Sequence, residues 1–203
     1  MISHRHRCIF VHIPKCGGTS IEDAIWPPPQ QRTVADLWAG YDRNPYQTGG
    51  LQHLCATHIR QEVGNTFERY WKFAFVRNPW DRVISQYLYT LRQRQDLRDL
   101  LGLSTDAPLK LYLSRLSERE HVQWKPQRPF IYDGDTLLVD FVGRFERFAE
   151  DAYDVFRRLG VKEPLPHENK TERGPYRDYY DTRTRDMVAQ LYADDIATFG
   201  YDF

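Results

Sequence analysis

The chain has 203 residues, with 28 basic and 28 acidic side chains, so its formal net charge is zero and no global field draws it to nucleic acid or an anionic membrane. At this length a single domain over residues 1–203 is expected, with enough apolar side chains (41%) to bury a core. No apolar run reaches about 18 residues and Met1–Arg7 leads straight into the first strand, so neither a membrane anchor nor a signal peptide is expected and the chain reads as cytoplasmic.

In chain order, residues 8–13 read as a buried strand that stops at Pro14. A turn with one cation (Lys15), two glycines (Gly17, Gly18) and two hydroxyls (Thr19, Ser20) leads into a short helix over 20–26, which Pro27-Pro28-Pro29 stops. Residues 30–52 are irregular and form the first candidate for a substrate lid. A helix near 55–63 ends at Gly64, and a strand over 71–76 ends at Arg77. Asn78 as N-cap and Pro79 at the first helical position start a long helix over 79–95. Its apolar stripe is Trp80, Val83, Ile84, Tyr87, Leu88 and Leu91, with Ser85 off the stripe. After a loop at 99–106, Pro108 starts a helix with Leu109, Tyr112, Leu113 and Leu116 on one face. Residues 125–135 are a turn-rich link into a strand over Leu137–Val142. Helices over Glu146–Leu159, stopped by Gly160, and over about 184–199 close the chain. Strands alternating with helices predict an α/β fold with a central parallel sheet.

Two of these junctions suit anions. A buried strand, a Gly-rich turn and a helix N-terminus converge free backbone N–H groups where the helix dipole favours negative charge. In the nucleoside-triphosphate loop, G-x-x-x-x-G-K-[ST], the lysine follows the glycines; here Lys15 precedes them, so an ATP- or GTP-dependent kinase fits badly. At the second junction Arg77 offers a planar fork and Ser85 a hydroxyl to a phosphate. Each has a plain alternative: a structural ion pair for Arg77, a solvated helix position for Ser85, and N-capping for Thr19 and Ser20, since Thr19-Ser20-Ile21-Glu22 fits a capping box. Asp81 and Arg82 read as a solvated or ion-paired face. Cys8, Cys16 and Cys55 are odd in number and lack Cys-x-x-Cys spacing, which fits reduced thiols, with Cys16 a small filler inside the turn. The 13 tyrosines suit pockets for planar or sugar rings, or simply a packed core.

Pro14–Ser20 (Pro-Lys-Cys-Gly-Gly-Thr-Ser) and Arg77–Ser85 (Arg-Asn-Pro-Trp-Asp-Arg-Val-Ile-Ser) resemble the sulfotransferases that use 3′-phosphoadenosine 5′-phosphosulfate (PAPS), in particular the carbohydrate branch. The resemblance continues through Val142–Glu146, His167–Lys170 and Asp195–Tyr201. It implies a P-loop-like three-layer fold, with helices flanking the sheet, and sulfuryl transfer from PAPS to an acceptor hydroxyl, that of a carbohydrate. It implies that Lys15, Cys16, Gly17, Gly18, Thr19 and Ser20 hold the 5′-phosphosulfate, that Arg77 and Ser85 hold the 3′-phosphate, and, more loosely, that Lys170 and Arg173 belong to a tail loop over the nucleotide. The donor is already activated, so no metal is expected, and no metal-ligand spacing stands in the chain.

Residues 53–64 resemble the family's His-x-x-Ala-x-x-Ile-Arg stretch, which makes His53 the candidate base, a capping or surface histidine being the alternative. His58 sits off that pattern; Glu22 and His12 are weaker candidates. Arg92, Arg94, Arg98, Arg115, Lys125 and Arg128 line an anionic-glycan groove or are solvated faces. A module that binds 3′-phosphoadenosine 5′-phosphate without catalysis is the reading from another class; an intact Lys15 with a candidate base speaks against it.

Overall fold

The computed structural model describes residues 1–27, 33–38, 50–162 and 173–203. Most of the expected lid segment, and Lys170, lie outside these. The elements run β1 (Ile2–Ser3), β2 (Cys8–Val11), α1 (Gly18–Ile25), α2 (Ala56–Val63), α3 (Asn65–Arg69), β3 (Trp71–Val76), α4 (Pro79–Gln93), α5 (Gln95–Leu101), α6 (Leu109–Leu116), α7 (Arg128–Ile131), β4 (Tyr132–Asp133), β5 (Thr136–Leu137), β6 (Phe141–Arg144), α8 (Phe148–Leu159), α9 (Thr182–Leu191) and α10 (Ala193–Phe199). This is a mixed α/β fold whose sheet of largely parallel strands is flanked by helices, as expected.

Two compact units make up the chain: Met1–Val76 with Gln127–Lys170, and Arg77–Pro126 with Thr171–Phe203. The first holds the sheet, in the order β1-β2-β3-β6, with β1 antiparallel and the others parallel. Phe10 stands opposite Phe73, and Phe73 opposite Phe141. The strand at 71–76 reads as an unbroken apolar run apart from Lys72, the composition of a strand covered on both faces. Lys72 is buried there because its ammonium is fully occupied: it donates to Phe67 O (3.3 Å) and Tyr70 O (3.1 Å) and pairs with Asp140 (3.2 Å).

The second unit is helical. Its core joins Trp80, Ile84, Leu88 and Leu91 of α4 to Leu97 and Leu101 of α5, Tyr112 and Leu113 of α6, and Val188 of α9. The apolar stripe predicted for α4 is therefore the face that packs. Asn78 caps α4 as expected, accepting from Trp80 N (3.0 Å), with Pro79 in the first turn.

Four expectations shift. The loop expected at 99–106 begins at Gly102, three residues late, because Leu97 and Leu101 supply enough buried surface to hold α5 up to that glycine. The strand expected at 137–142 is split: Thr136–Leu137 turn back on Tyr132–Asp133, and the sheet strand starts only at Phe141. The helix expected from Glu146 starts at Phe148, after a 3-10 turn over Phe145–Arg147. The last helix is two helices, broken at Tyr192, whose buried hydroxyl donates to Trp124 O (2.9 Å).

In β6, Gly143 leaves no room for a side chain, since an added Cβ would stand 2.5 Å from the Phe75 ring. Gly143→Ala is expected to lower stability by about 1–3 kcal/mol through overpacking, read as a fall in the denaturant midpoint at unchanged slope.

Candidate functional site

In the first unit, β2 ends at Val11, and His12, Ile13 and Pro14 stay buried as the chain leaves the sheet. Lys15 (φ 66) and Gly17 (φ 82) both adopt the left-handed conformation, which turns the backbone sharply into α1. Gly17 is the N-cap and no side chain caps the helix, nor does any acid stand in its first turn. The expected capping box is therefore not formed. Thr19 is exposed in the first turn, Ser20 is buried, and Glu22 is engaged elsewhere. The turn keeps its first N–H groups, Lys15 and the Thr19 hydroxyl at the positive end of a helix dipole, which is what an anionic ligand requires. Cys16 is a filler, as expected: it is buried and its thiol donates to Gln127 Oε1 (3.3 Å).

Behind this turn lies a buried polar cluster. His12 Nδ1 stands 2.5 Å from Glu22 Oε1, with Glu22 itself 2% exposed. Burial pushes the His12 imidazole down to about 3, helped by the positive Met1 amine and Lys15. The ring is thus neutral, and its Nδ1–H donates to the carboxylate. His53, in a 3-10 turn over Leu51–His53, is buried beside it, with ring centroids 4.5 Å apart. His53 Nδ1 lies 3.1 Å from the His12 carbonyl oxygen. A carbonyl only accepts, so Nδ1 carries the proton and the lone pair sits on Nε2, the tautomer of a base. His53 is neither a helix cap nor a surface residue.

In the second unit, Arg77 stands just before the Asn78 cap of α4, and Asp81 and Ser85 follow one turn apart on the helix. Arg77 is buried and grips Asp81 with two nitrogens, Nε at 2.9 Å and Nη2 at 2.8 Å from Oδ2. Arg173 pairs with the other carboxylate oxygen of Asp81. Asp81 thereby brings together Arg77, expected at the 3′-phosphate, and Arg173, expected in a tail loop over the nucleotide. Ser85 is buried rather than solvated. Arg82 is also not a solvated residue: it is 2% exposed, donates to Lys125 O (2.9 Å) and lies over the Tyr192 ring. Arg94 pairs with Asp96, Arg115 with Glu118, and Arg98 donates to Thr90 O and Leu91 O, so these members of the suggested glycan groove serve local contacts.

The profile of the sulfotransferase family matches residues 1–202. The chain belongs to that family. It is also 32% identical, over 120 residues, to an uncharacterized protein of Archaeoglobus fulgidus (strain ATCC 49558), covering 53% of this chain and 82% of that one. No solved structure matches it.

The matched residues include the lysine-first turn before α1 and the Arg-Asn-Pro run that leads into α4. Among the described residues no helix is long and apolar enough to cross a membrane, and no group of acids, cysteines and histidines is placed to hold a metal ion.

The neutral, buried His12 ties stability to pH. Its proton affinity falls from the usual 6.5 to about 3 on folding, so the unfolded chain binds the extra proton between those values. Stability is then expected to rise with pH from about 3 to 6.5, and His12→Asn, which cannot titrate, to remove up to about 1.4 kcal/mol per pH unit of that slope. Denaturant unfolding of both proteins across this range checks it.

Proposed function

We propose that the chain moves the sulfuryl group of PAPS to an acceptor hydroxyl, that of a carbohydrate. Family membership supports sulfuryl transfer; the donor and acceptor classes are the finer reading. The observation that carries it is the turn at Lys15–Gly18, where a left-handed lysine and glycine lead into a helix N-terminus with no side-chain cap and no acid in its first turn, a setting that suits a phosphosulfate. The paired Arg77 and Arg173 around Asp81 support recognition of the 3′-phosphate, the group that distinguishes this donor from plain adenylates.

In this reading the acceptor oxygen attacks sulfur while the bond from sulfur to the 5′-phosphate oxygen breaks. The hydroxyl proton passes to His53 Nε2, and 3′-phosphoadenosine 5′-phosphate leaves. Lys15 neutralises the charge that grows on the leaving oxygen, and the helix N-terminus adds its dipole. In-line positioning supplies the rest of the acceleration, as in phosphoryl transfer.

Thermal shift separates the donor classes. At about 100 times its dissociation constant, 3′-phosphoadenosine 5′-phosphate is expected to add roughly 2.7 kcal/mol of stability, and AMP at the same concentration far less. Arg77→Ala should erase that preference; equal discrimination before and after the change would count against the assignment. A mass-spectrometric acceptor screen over a glycan library then tests transfer, since a pure binder transfers nothing. Lys15→Ala is expected to cost on the order of 10²–10³ in turnover, by analogy with loss of an oxyanion donor, measured on the acceptor so found.

A further inference from the structure

We propose that Glu22 is a positioning residue for His53, acting through His12, and that its buried carboxylate favours the protonated ring that His53 becomes on accepting the acceptor's proton. The proposal deepens the reading above and rests on it, because it takes His53 as the base.

Three observations converge. Glu22 lies in the second turn of α1, almost wholly buried, with its carboxylate bonded to His12 Nδ1 at 2.5 Å. The His12 ring has no freedom to move: it stacks on Phe10 (centroids 5.4 Å apart, 14° between planes), and on another side it lies against the α-carbon of Gly18, where an added Cβ would fall 2.0 Å from Nε2. His53 is attached to the same residue twice, by its Nδ1–H to the His12 carbonyl and by the contact of the two rings. His12 is thus held at its ring by α1, and it holds the tautomer of His53 by its backbone.

The charge has a direction. Among the described residues, the charges that face this cluster are Lys15 from the turn, Glu22 from α1 and the Met1 amine beside β1. Lys15 opposes a proton on the His12 imidazole, joined by the Met1 amine only below about pH 5, to which burial lowers that amine. Glu22, bonded to the ring that touches His53, supplies the opposing negative charge in a site where burial weakens screening. A carboxylate that only closed the turn would have its effect on shape; this one also sets how readily His53 holds a proton.

Histidine-selective nitrogen NMR reads both the tautomer and the titration of His53, in the free chain and with 3′-phosphoadenosine 5′-phosphate. Glu22→Gln keeps an oxygen for the His12 Nδ1–H and removes the charge. The expected result is an unchanged Nδ1–H tautomer, a His53 midpoint lowered by about one pH unit, nucleotide affinity within about twofold and, on the acceptor found by screening, a lower turnover plateau. An unmoved midpoint overturns the proposal, as does a loss of nucleotide affinity with the midpoint unmoved, since that outcome describes a prop for the turn. His12→Asn, whose amide N–H stands where Nδ1–H stood, should keep Glu22 bound and the His53 midpoint close to its original value, whereas His12→Ala should release both. Equal behaviour of these two variants also overturns it, whether or not Glu22→Gln folds. Failure of the unaltered chain to bind the nucleotide would instead remove the sulfotransferase reading of the donor, leaving the titration result standing by itself.

Discussion

Two rings press on two glycines where the sheet gives way to α1. An added Cβ at Gly18 would fall 2.0 Å from His12 Nε2, and one at Gly17 would fall 2.6 Å from the Phe148 ring. The main chain must therefore pass between an imidazole from the end of β2 and a phenyl from the start of α8, with no side chain of its own. That passage forces the positive φ of Gly17, starts α1 one residue later, and turns backbone rather than side chain toward the surface of the turn. An anion at this place meets N–H groups fixed by packing, which need no reorganisation to bind it. Much of the first unit answers to this constraint: His12 is stacked on Phe10, and Phe148 meets Phe75 of β3 edge-on.

Charge in the second unit is balanced differently. Asp81 is shared by two guanidiniums, those of Arg77 and Arg173, at a largely buried position. A full neutral pair at Arg77 would offer a phosphate little gain, and two unpaired arginines side by side would repel in the absence of a ligand. Three charges of this kind hold the forks in place, which in the proposed function lowers the ordering cost of binding a phosphate. A lysine at either position would lose the two-pronged geometry.

The parts of this fold that local sequence determines were legible. The strand at 71–76 follows from an apolar run, and the start of α4 follows from Asn78 and Pro79, because caps and buried strands are set by residues a few positions apart. The lysine-first turn was legible as a strand-to-helix junction for the same reason, and the chain does turn there from β2 into α1. What stayed hidden depends on partners far along the chain. Thr19 and Glu22 have the spacing of a capping box, yet Glu22 is taken by His12, ten residues earlier, whose ring becomes available only when β2 is in the sheet. Arg82 looks like any helix arginine until Lys125 and Tyr192 fold over it. Asp81 carried a signal that was available: its spacing of four from Ser85 puts both on one side of α4, and it stands in the first turn, within reach of Arg77 just before the cap.

The location of Glu22 resolves a conflict that any such site faces. Negative charge at the start of a helix is favourable for the helix, so a carboxylate in the first turn of α1 would compete with an anionic ligand for the same N–H groups and the same dipole. The first turn holds none. Glu22 stands one turn further on, folded inward and spent on His12, so that its charge is kept from the ligand side and directed at the histidines. A buried carboxylate is costly unless a donor meets it, and the neutral His12, denied its own proton by burial and by Lys15, is a donor that never becomes a competing cation. In the proposed function, one site then holds a lysine for a growing anion and a carboxylate for a growing imidazolium, with the carboxylate bonded to an uncharged ring.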